Sequence, residues 1–101
     1  MLDACEQITR IARGLTREQL ESDESAVLAL SRAVEIVGEA ARALSQNERD
    51  KHPAIPWTGI IGARNRLIHA YWKVDLDVLW DIVELDVPQL AEHLRRILNE
   101  P

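Results

Sequence analysis

The chain has 101 residues, of which 47% are hydrophobic and 29% charged, and its formal net charge is −5. This length is enough for one hydrophobic core and too short for two, so we expect a single domain over 1–101. The aliphatic content excludes a disordered chain, and the presence of only one cysteine, Cys5, excludes a disulfide framework.

Composition also bears on where the protein acts. No apolar run approaches the roughly 18–20 residues of a membrane span, and the first residues lack the basic region of a signal peptide. A lone thiol is typical of a reducing compartment, so we expect a cytoplasmic protein without membrane contact. The negative charge argues against a general nucleic-acid coat protein, which would be basic.

The N-terminal region predicts a helix and a turn. Apolar residues at helical spacing predict a helix over 1–13 that stops at Gly14. Thr16 and Gln19 have capping-box spacing, which predicts a short helical turn.

The strongest helical pattern lies over 23–45, with Ser22 or Asp23 as its N-cap. Two apolar rows lie side by side and give the predicted helix a wide apolar face. The first row consists of Val27, Leu30, Val34, Val37, Ala41 and Leu44, and the second of Ala26, Ala29, Ala33, Ile36, Ala40 and Ala43. Because the second row is mostly alanine, a neighbouring helix can approach closely.

The C-terminal half predicts two more helices after a rigid proline-containing connector over 53–57. The third helix is expected from about 58 to about 71, and the fourth, with Asp75 as N-cap, over about 76–98. Pro88 falls inside an unbroken apolar pattern, so we expect a kink there and no end. Four helices with short connectors predict an all-α antiparallel bundle.

The third predicted helix carries the candidate site. At 100° per residue its core stripe consists of Ile60, Ala63, Leu67 and Ala70. Asn65 and His69 are four residues apart and point together, away from that stripe and beside Gly62. Arg64 and Tyr71 are seven apart and align with each other nearer the stripe. Such a face indicates a site or a close helix contact.

These residue types suit phosphate chemistry without a metal. Arginine holds phosphate bidentately, histidine transfers protons near neutral pH, and asparagine can donate a hydrogen bond to phosphate or ribose. Cleavage of RNA by its own 2′-hydroxyl needs a base and an acid. One chain supplies one such histidine, and a two-fold dimer formed through the Gly62 face would bring two together.

Structural roles remain open for the same residues. Arg64 could form an ion pair with Glu35 or Glu39 of the second helix, and such a carboxylate would also fix the direction of the guanidinium. Arg66 is expected to face solvent, where it could assist a phosphate. Tyr71 could be an aromatic residue at the edge of the core.

The remaining candidates are expected to be structural. His52 and His93 have no metal-ligand spacing to other residues, so we expect neither a metal nor a cofactor. Trp57, Trp72 and Trp80 are expected to pack rather than to stack on bases. Cys5 is expected to be a small core residue.

The pattern Arg-x-x-x-x-His-x-Tyr, at Arg64, His69 and Tyr71, resembles the HEPN superfamily, and more narrowly HepT, the toxin paired with a minimal nucleotidyltransferase (MNT-type) antitoxin. Four stretches match the sequence patterns usual in HepT proteins, in order and spacing: 35–41, 52–57, 64–71 and 74–80. The resemblance covers essentially the whole chain. Relatives usually carry further residues before the stretch that opens here at Met1, so we expect either that the start is assigned too late or that the first helix is short.

The resemblance implies an all-helical homodimer with a metal-independent RNase site in a cleft at the dimer interface. It makes Arg64 and His69 catalytic with Asn65 assisting, and it makes Tyr71 the residue to which the antitoxin transfers AMP. Added phosphate and bulk in that cleft would block RNA. DNA is not an expected ligand, and we assign Glu39 and Arg66 only supporting roles.

Two other functions remain open. Some relatives are described only as nucleotide-binding partners of the transferase, so the chain could be a binding module. It could also be a structural helical dimer whose motif no longer has a function. The net charge conflicts with an RNA substrate unless Arg64, Arg66 and Lys73 form a local basic site. Alternatively, the chain serves mainly its protein partner.

Overall fold

A computed structural model of the protein describes residues 1–70 and 73–99, and of residues 68–70 and 73 it describes the backbone alone. The first helix, α1, spans Leu2–Ala12. Its buried residues are Ala4, Cys5 and Ile8. Gly14 follows with φ 84°, a left-handed conformation that glycine adopts without steric cost, so the predicted stop is confirmed. The Thr16 N–H donates to Gln19 Oε1 at 2.9 Å, and the predicted turn is a 3₁₀ helix over Glu18–Glu21.

The second helix, α2, spans Glu24–Ala43. The Asp23 carboxylate accepts a hydrogen bond from the Ala26 N–H at 3.0 Å, so the predicted helix and one of its two predicted caps are confirmed. Its buried residues are Ala26, Leu30, Ala33, Val34, Val37 and Ala41. Ile36, in the alanine-rich row, is 37% exposed. The wide apolar face is therefore only partly covered within the chain.

A helix that the sequence did not predict, α3, spans Gln46–Asp50 within the polar connector. Ser45 caps it by accepting a backbone hydrogen bond. The indole N–H of Trp57 donates to the carbonyls of Arg49 and His52, at 3.0 and 3.2 Å. These bonds attach the connector to the start of the next helix, and both Trp57 and Trp80 pack against the core. Trp72 lies outside the described residues.

Four short elements follow: α4 over Trp57–Ile61, α5 over Ala63–Leu67, β1 over Ile68–Ala70 and β2 over Lys73–Val74. The two strands pair antiparallel, with Ile68 opposite Val74 and an irregularity in register after it. This ladder is the only strand pairing within the part of the chain that the structure describes.

The predicted continuous helix over about 58–71 is therefore wrong. It is interrupted at Gly62, which adopts φ −85° and ψ 0°, and it ends at Leu67. The Leu67 carbonyl accepts a hydrogen bond from the Asp75 N–H at 2.6 Å, so the end of α5 is bonded to the returning chain. Backbone pairing of this segment with the chain that returns six to eight residues later overrides the helical pattern of the side chains.

The last helical run comprises α6 over Leu76–Asp81, a π-helical segment over Ile82–Asp86, and α7 over Val87–Asn99. Asp75 caps α6 by accepting from the Asp77 and Val78 N–H groups, as predicted. The run continues through Pro88, also as predicted. Proline lacks an N–H and clashes with the carbonyl four residues earlier, and the wider π turn just before Pro88 accommodates this defect.

The core forms where α2 contacts α1, α4 and α5, and where α1 contacts α7. Its completely buried side chains include Ile8, Leu30 and Leu79. Cys5 is a core residue, as predicted, and its burial raises the pKa of its thiol above the ordinary value. The architecture is helical, but the predicted third helix is present only as α4 and α5. No helix within residues 1–70 and 73–99 is long and apolar enough to cross a membrane.

Candidate functional site

The start of the Arg-x-x-x-x-His motif lies on α5, which the core holds in place. Ala63 and Leu67 are 4% and 2% exposed, and Ile60 of α4 is also buried, so three of the four residues of the predicted core stripe face inward. Ala70 lies outside the described side chains. Arg64 and Asn65 are exposed on the same short helix. The core thus presents two adjacent polar side chains of the motif to solvent.

Arg64 is oriented by a carboxylate of α2. Its Nε lies 3.9 Å from Oε1 of Glu35, and Nη1 of Arg32 lies 3.4 Å from the same oxygen. Of the two partners considered for Arg64, the one in contact is therefore Glu35. At 3.9 Å the contact is electrostatic and exceeds hydrogen-bond length. Since the Arg64 side chain is 62% exposed, its guanidinium remains open to a ligand.

Glu39 lies one helical turn after Glu35 on α2 and is exposed. Within the described part of the chain it forms no ion pair with Arg64. The structure therefore brings Arg64 to Glu35 and leaves Glu39 beside this contact.

The backbone of His69 belongs to β1 and not to a helix. The helical alignment of His69 with Asn65, and of Tyr71 with Arg64, therefore no longer follows from the spacing. The His69 side chain and all of Tyr71 lie outside the described residues. What the structure fixes is that the motif crosses from a helix into a strand between Arg64 and His69.

Arg66 points to a different side of α5 from Arg64. Its Nη2 lies 3.4 Å from both the Gly59 carbonyl oxygen and Oδ2 of Asp86, and its side chain is half exposed. Because Arg64 contacts α2 and Arg66 contacts the π-helical segment, these two residues do not form a joint cationic cluster. The third member of the predicted basic site is Lys73, and its side chain is not among those that the structure describes.

Beside Arg66 a cavity of about 350 Å³ opens between α2, α4 and the C-terminal helical run. Its walls are mainly aliphatic, with Asp86, Gln89 and His93 among the polar lining residues. Throughout the described residues, no group of three His, Cys, Asp or Glu side chains is placed to hold a metal ion. The exposed part of α5 offers phosphate binding by Arg64 and hydrogen bonding by Asn65.

Comparison with known proteins gives a consistent result. The family model described as Ribonuclease HepT-like matches residues 1–97. The chain is 39% identical over 95 residues to a "Probable ribonuclease HepT" of Thermococcus cleftensis, covering 94% of this chain and 86% of that protein. It is 32% identical over 100 residues to a "Putative RNase" of Caldanaerobacter subterraneus subsp. tengcongensis, covering 99% and 89%.

A third relative has a different organisation. A Methanocaldococcus jannaschii protein named "Gamma-glutamylcyclotransferase and putative RNase" is 32% identical over 100 residues, which span 99% of this chain and 45% of that protein. No solved structure matches this one.

Proposed function

This chain belongs to the HepT-like ribonuclease family, and from that premise we propose that it is a metal-independent endoribonuclease, the toxin of a toxin–antitoxin pair. The observation that supports the proposal best is the placement of the motif. Arg64 and Asn65 are exposed on a helix anchored by buried residues, and His69 follows in the adjoining strand. The names of the relatives, which refer to RNases, agree with this reaction class.

In the proposed reaction the 2′-oxygen of a ribose attacks the adjacent phosphorus. One His69 removes the 2′-hydroxyl proton and a second donates a proton to the departing 5′-oxygen, which leaves a cyclic phosphate. Arg64 stabilises the extra negative charge on the pentacoordinate phosphorus, and Asn65 donates a hydrogen bond to phosphate or ribose. Glu35 directs Arg64 without sequestering it.

Because one chain supplies one His69, we place the complete site at the interface of a homodimer, formed through the side of α5 that carries Asn65. Control would come from an MNT-type nucleotidyltransferase. That enzyme would join the Tyr71 hydroxyl oxygen to the α-phosphorus of ATP and release pyrophosphate. The added phosphate charge and bulk in the cleft would exclude the RNA.

The test compares the intact chain with His69→Ala, both expressed alone in cells and both assayed on RNA with excess chelator. The matched control is His52→Ala, which removes a histidine far from the motif in sequence. We expect growth arrest and chelator-resistant cleavage for the intact chain and for His52→Ala. His69→Ala should abolish both effects while keeping helical content. Full toxicity of His69→Ala would show that the catalytic assignment is wrong.

The net charge of −5 favours one second function, that of a nucleotide- or partner-binding subunit with little affinity for free RNA. It predicts ATP or AMP binding that Arg64→Ala weakens, with no RNA cleavage at any protein concentration. Absence of nucleotide binding would count against it.

A further inference from the structure

A groove of about 360 Å³ lies between α1 and α2, away from the cavity beside Arg66. Its aliphatic lining residues are Ile11, Ala29, Ala33 and Ile36. Arg10 of α1 and Arg32 of α2 also line it. This arrangement combines an apolar floor with cationic side chains from both helices.

The charge of the groove is opposite to that of the whole chain. The sequence has 17 acidic and 12 basic residues, yet the two charged residues in the described lining of the groove are both arginines. Arg10 is exposed and forms no ion pair within the described part of the chain. The Arg32 side chain is 61% exposed. The described lining of the groove is therefore locally cationic on an acidic protein.

Arg32, which lines the groove, and Arg64 of the motif both contact Glu35. Arg32 and Arg64 lie 3.4 and 3.9 Å from the same oxygen of Glu35, so their guanidinium groups are close enough to contact neighbouring phosphates of one strand. Arg10 extends this series of cations across to α1.

We infer that this groove binds the single-stranded RNA that flanks the cleaved phosphate, an inference that rests on the proposed ribonuclease function. Phosphates contact Arg32 and Arg10, while riboses and bases lie over the aliphatic floor around Ile36. Single-strand binding surfaces combine cations that follow the backbone with apolar or aromatic platforms for the bases. Because the described lining residues include no aromatic side chain, the binding is electrostatic and tolerant of sequence.

A second copy of the chain fits the groove less well than RNA. A two-fold interface through it would bring the arginines of both copies together. Among the described residues Arg32 has a carboxylate partner in Glu35, and Arg10 has none. Burying the unpaired charge of Arg10 from both copies costs more free energy than the few aliphatic contacts return. RNA supplies the missing negative charge.

The experiment measures RNA affinity as a function of salt. The probe is a labelled oligouridylate of about 12 nucleotides, and the protein carries His69→Ala so that the probe stays intact. Each phosphate contact with a single strand contributes about 0.7 to the slope of log affinity against log salt concentration. We expect Arg10→Gln to reduce the slope by about that amount, and Arg10→Gln with Arg32→Gln to reduce it by about twice that amount.

The matched control is Arg96→Gln, which makes the same charge change on α7, where Arg96 pairs with Glu92 outside the groove. Its slope should equal that of the parent protein. Equal slopes for Arg10→Gln and Arg96→Gln would overturn the inference. So would a change of oligomeric state in Arg10→Gln with RNA affinity per protomer unchanged, which would identify a second copy as the occupant.

Cleavage by the chain with His69 intact, assayed separately, distinguishes the two proposals. If the chain cleaves RNA but Arg10→Gln leaves the salt slope unaltered, the ribonuclease function is retained and the inference that the groove binds RNA is overturned. Absence of both cleavage and RNA binding would overturn both.

Discussion

Helix α2 and the segment from α4 to β1 pack against each other, but they depend on the rest of the molecule to different degrees. α2 has 20 residues, a side-chain N-cap and a continuous buried stripe. The segment consists of two five-residue helices and a three-residue strand. Helices that short are unstable in isolation, because nucleation is costly and few hydrogen bonds repay it. The motif is therefore carried by the segment that tertiary contacts hold in shape.

Three contacts hold this segment. A Cβ on Gly38 of α2 would lie 3.1 Å from the Ile60 carbonyl oxygen, so α4 approaches the backbone of α2 closely. Leu67 is buried at the end of α5, and its carbonyl bonds to Asp75. Placement of Arg64 is thus sensitive to changes at residues distant from it in sequence. Each of the following predictions compares a change in α2 with one in the segment or in a residue that holds it.

The largest effect is expected from truncating the buried leucines Leu30 of α2 and Leu67 of α5, which are 0% and 2% exposed. Leu30→Ala and Leu67→Ala should each lower the free energy of unfolding by about 2–5 kcal/mol, because burial is lost and a cavity remains. Leu98→Ala is the control, since Leu98 is 69% exposed. Denaturant titration followed by tryptophan fluorescence measures all three. A loss below about 1 kcal/mol for Leu67→Ala would show that α5 packs loosely.

The second comparison concerns the N-caps Asp23 and Asp75. Asp23→Ala and Asp75→Ala should each cost about 1 kcal/mol, because each removes the acceptor for backbone N–H groups at a helix start. Asp75→Asn and Asp23→Asn keep an acceptor oxygen and should retain most of the stability that the alanine variants lose. If the asparagine variants were as unstable as the alanine ones, the carboxylate charge and not the cap would be responsible.

The sequence predicts α2 better than it predicts the segment from α4 to β1. The extent of α2, the Asp23 and Asp75 caps and the stop at Gly14 were predictable, because each depends on neighbouring residues. The break at Gly62 and the end at Leu67 were not. The apolar pattern continues through them, and what ends the helix is a bond to Asp75, eight positions along the chain.

The candidate site shows the same limit. Exposure of Arg64 and Asn65 and contact with Glu35 follow from a helical wheel and from ion-pair chemistry. The departure of His69 into a strand does not, and the groove between α1 and α2 was missed because no local pattern pairs Arg10 with Arg32. The sequence feature that could have indicated the groove was Ile36. It is a large aliphatic residue in a row of alanines, and its side chain stays partly exposed within the chain.

The smallest effect distinguishes two glycines in helices. A Cβ on Gly59 of α4 meets no atom within 4 Å, so Gly59→Ala should stabilise the protein by about 0.5–1 kcal/mol through lower backbone entropy of the unfolded chain. In Gly38→Ala the same gain is opposed by the contact with the Ile60 carbonyl, which belongs to the backbone of α4 and moves only with that helix. In thermal unfolding, Gly38→Ala should therefore have a lower unfolding temperature than Gly59→Ala. Equal stabilisation would mean that α4 shifts freely on α2. The position of Arg64 would then not depend on this close approach.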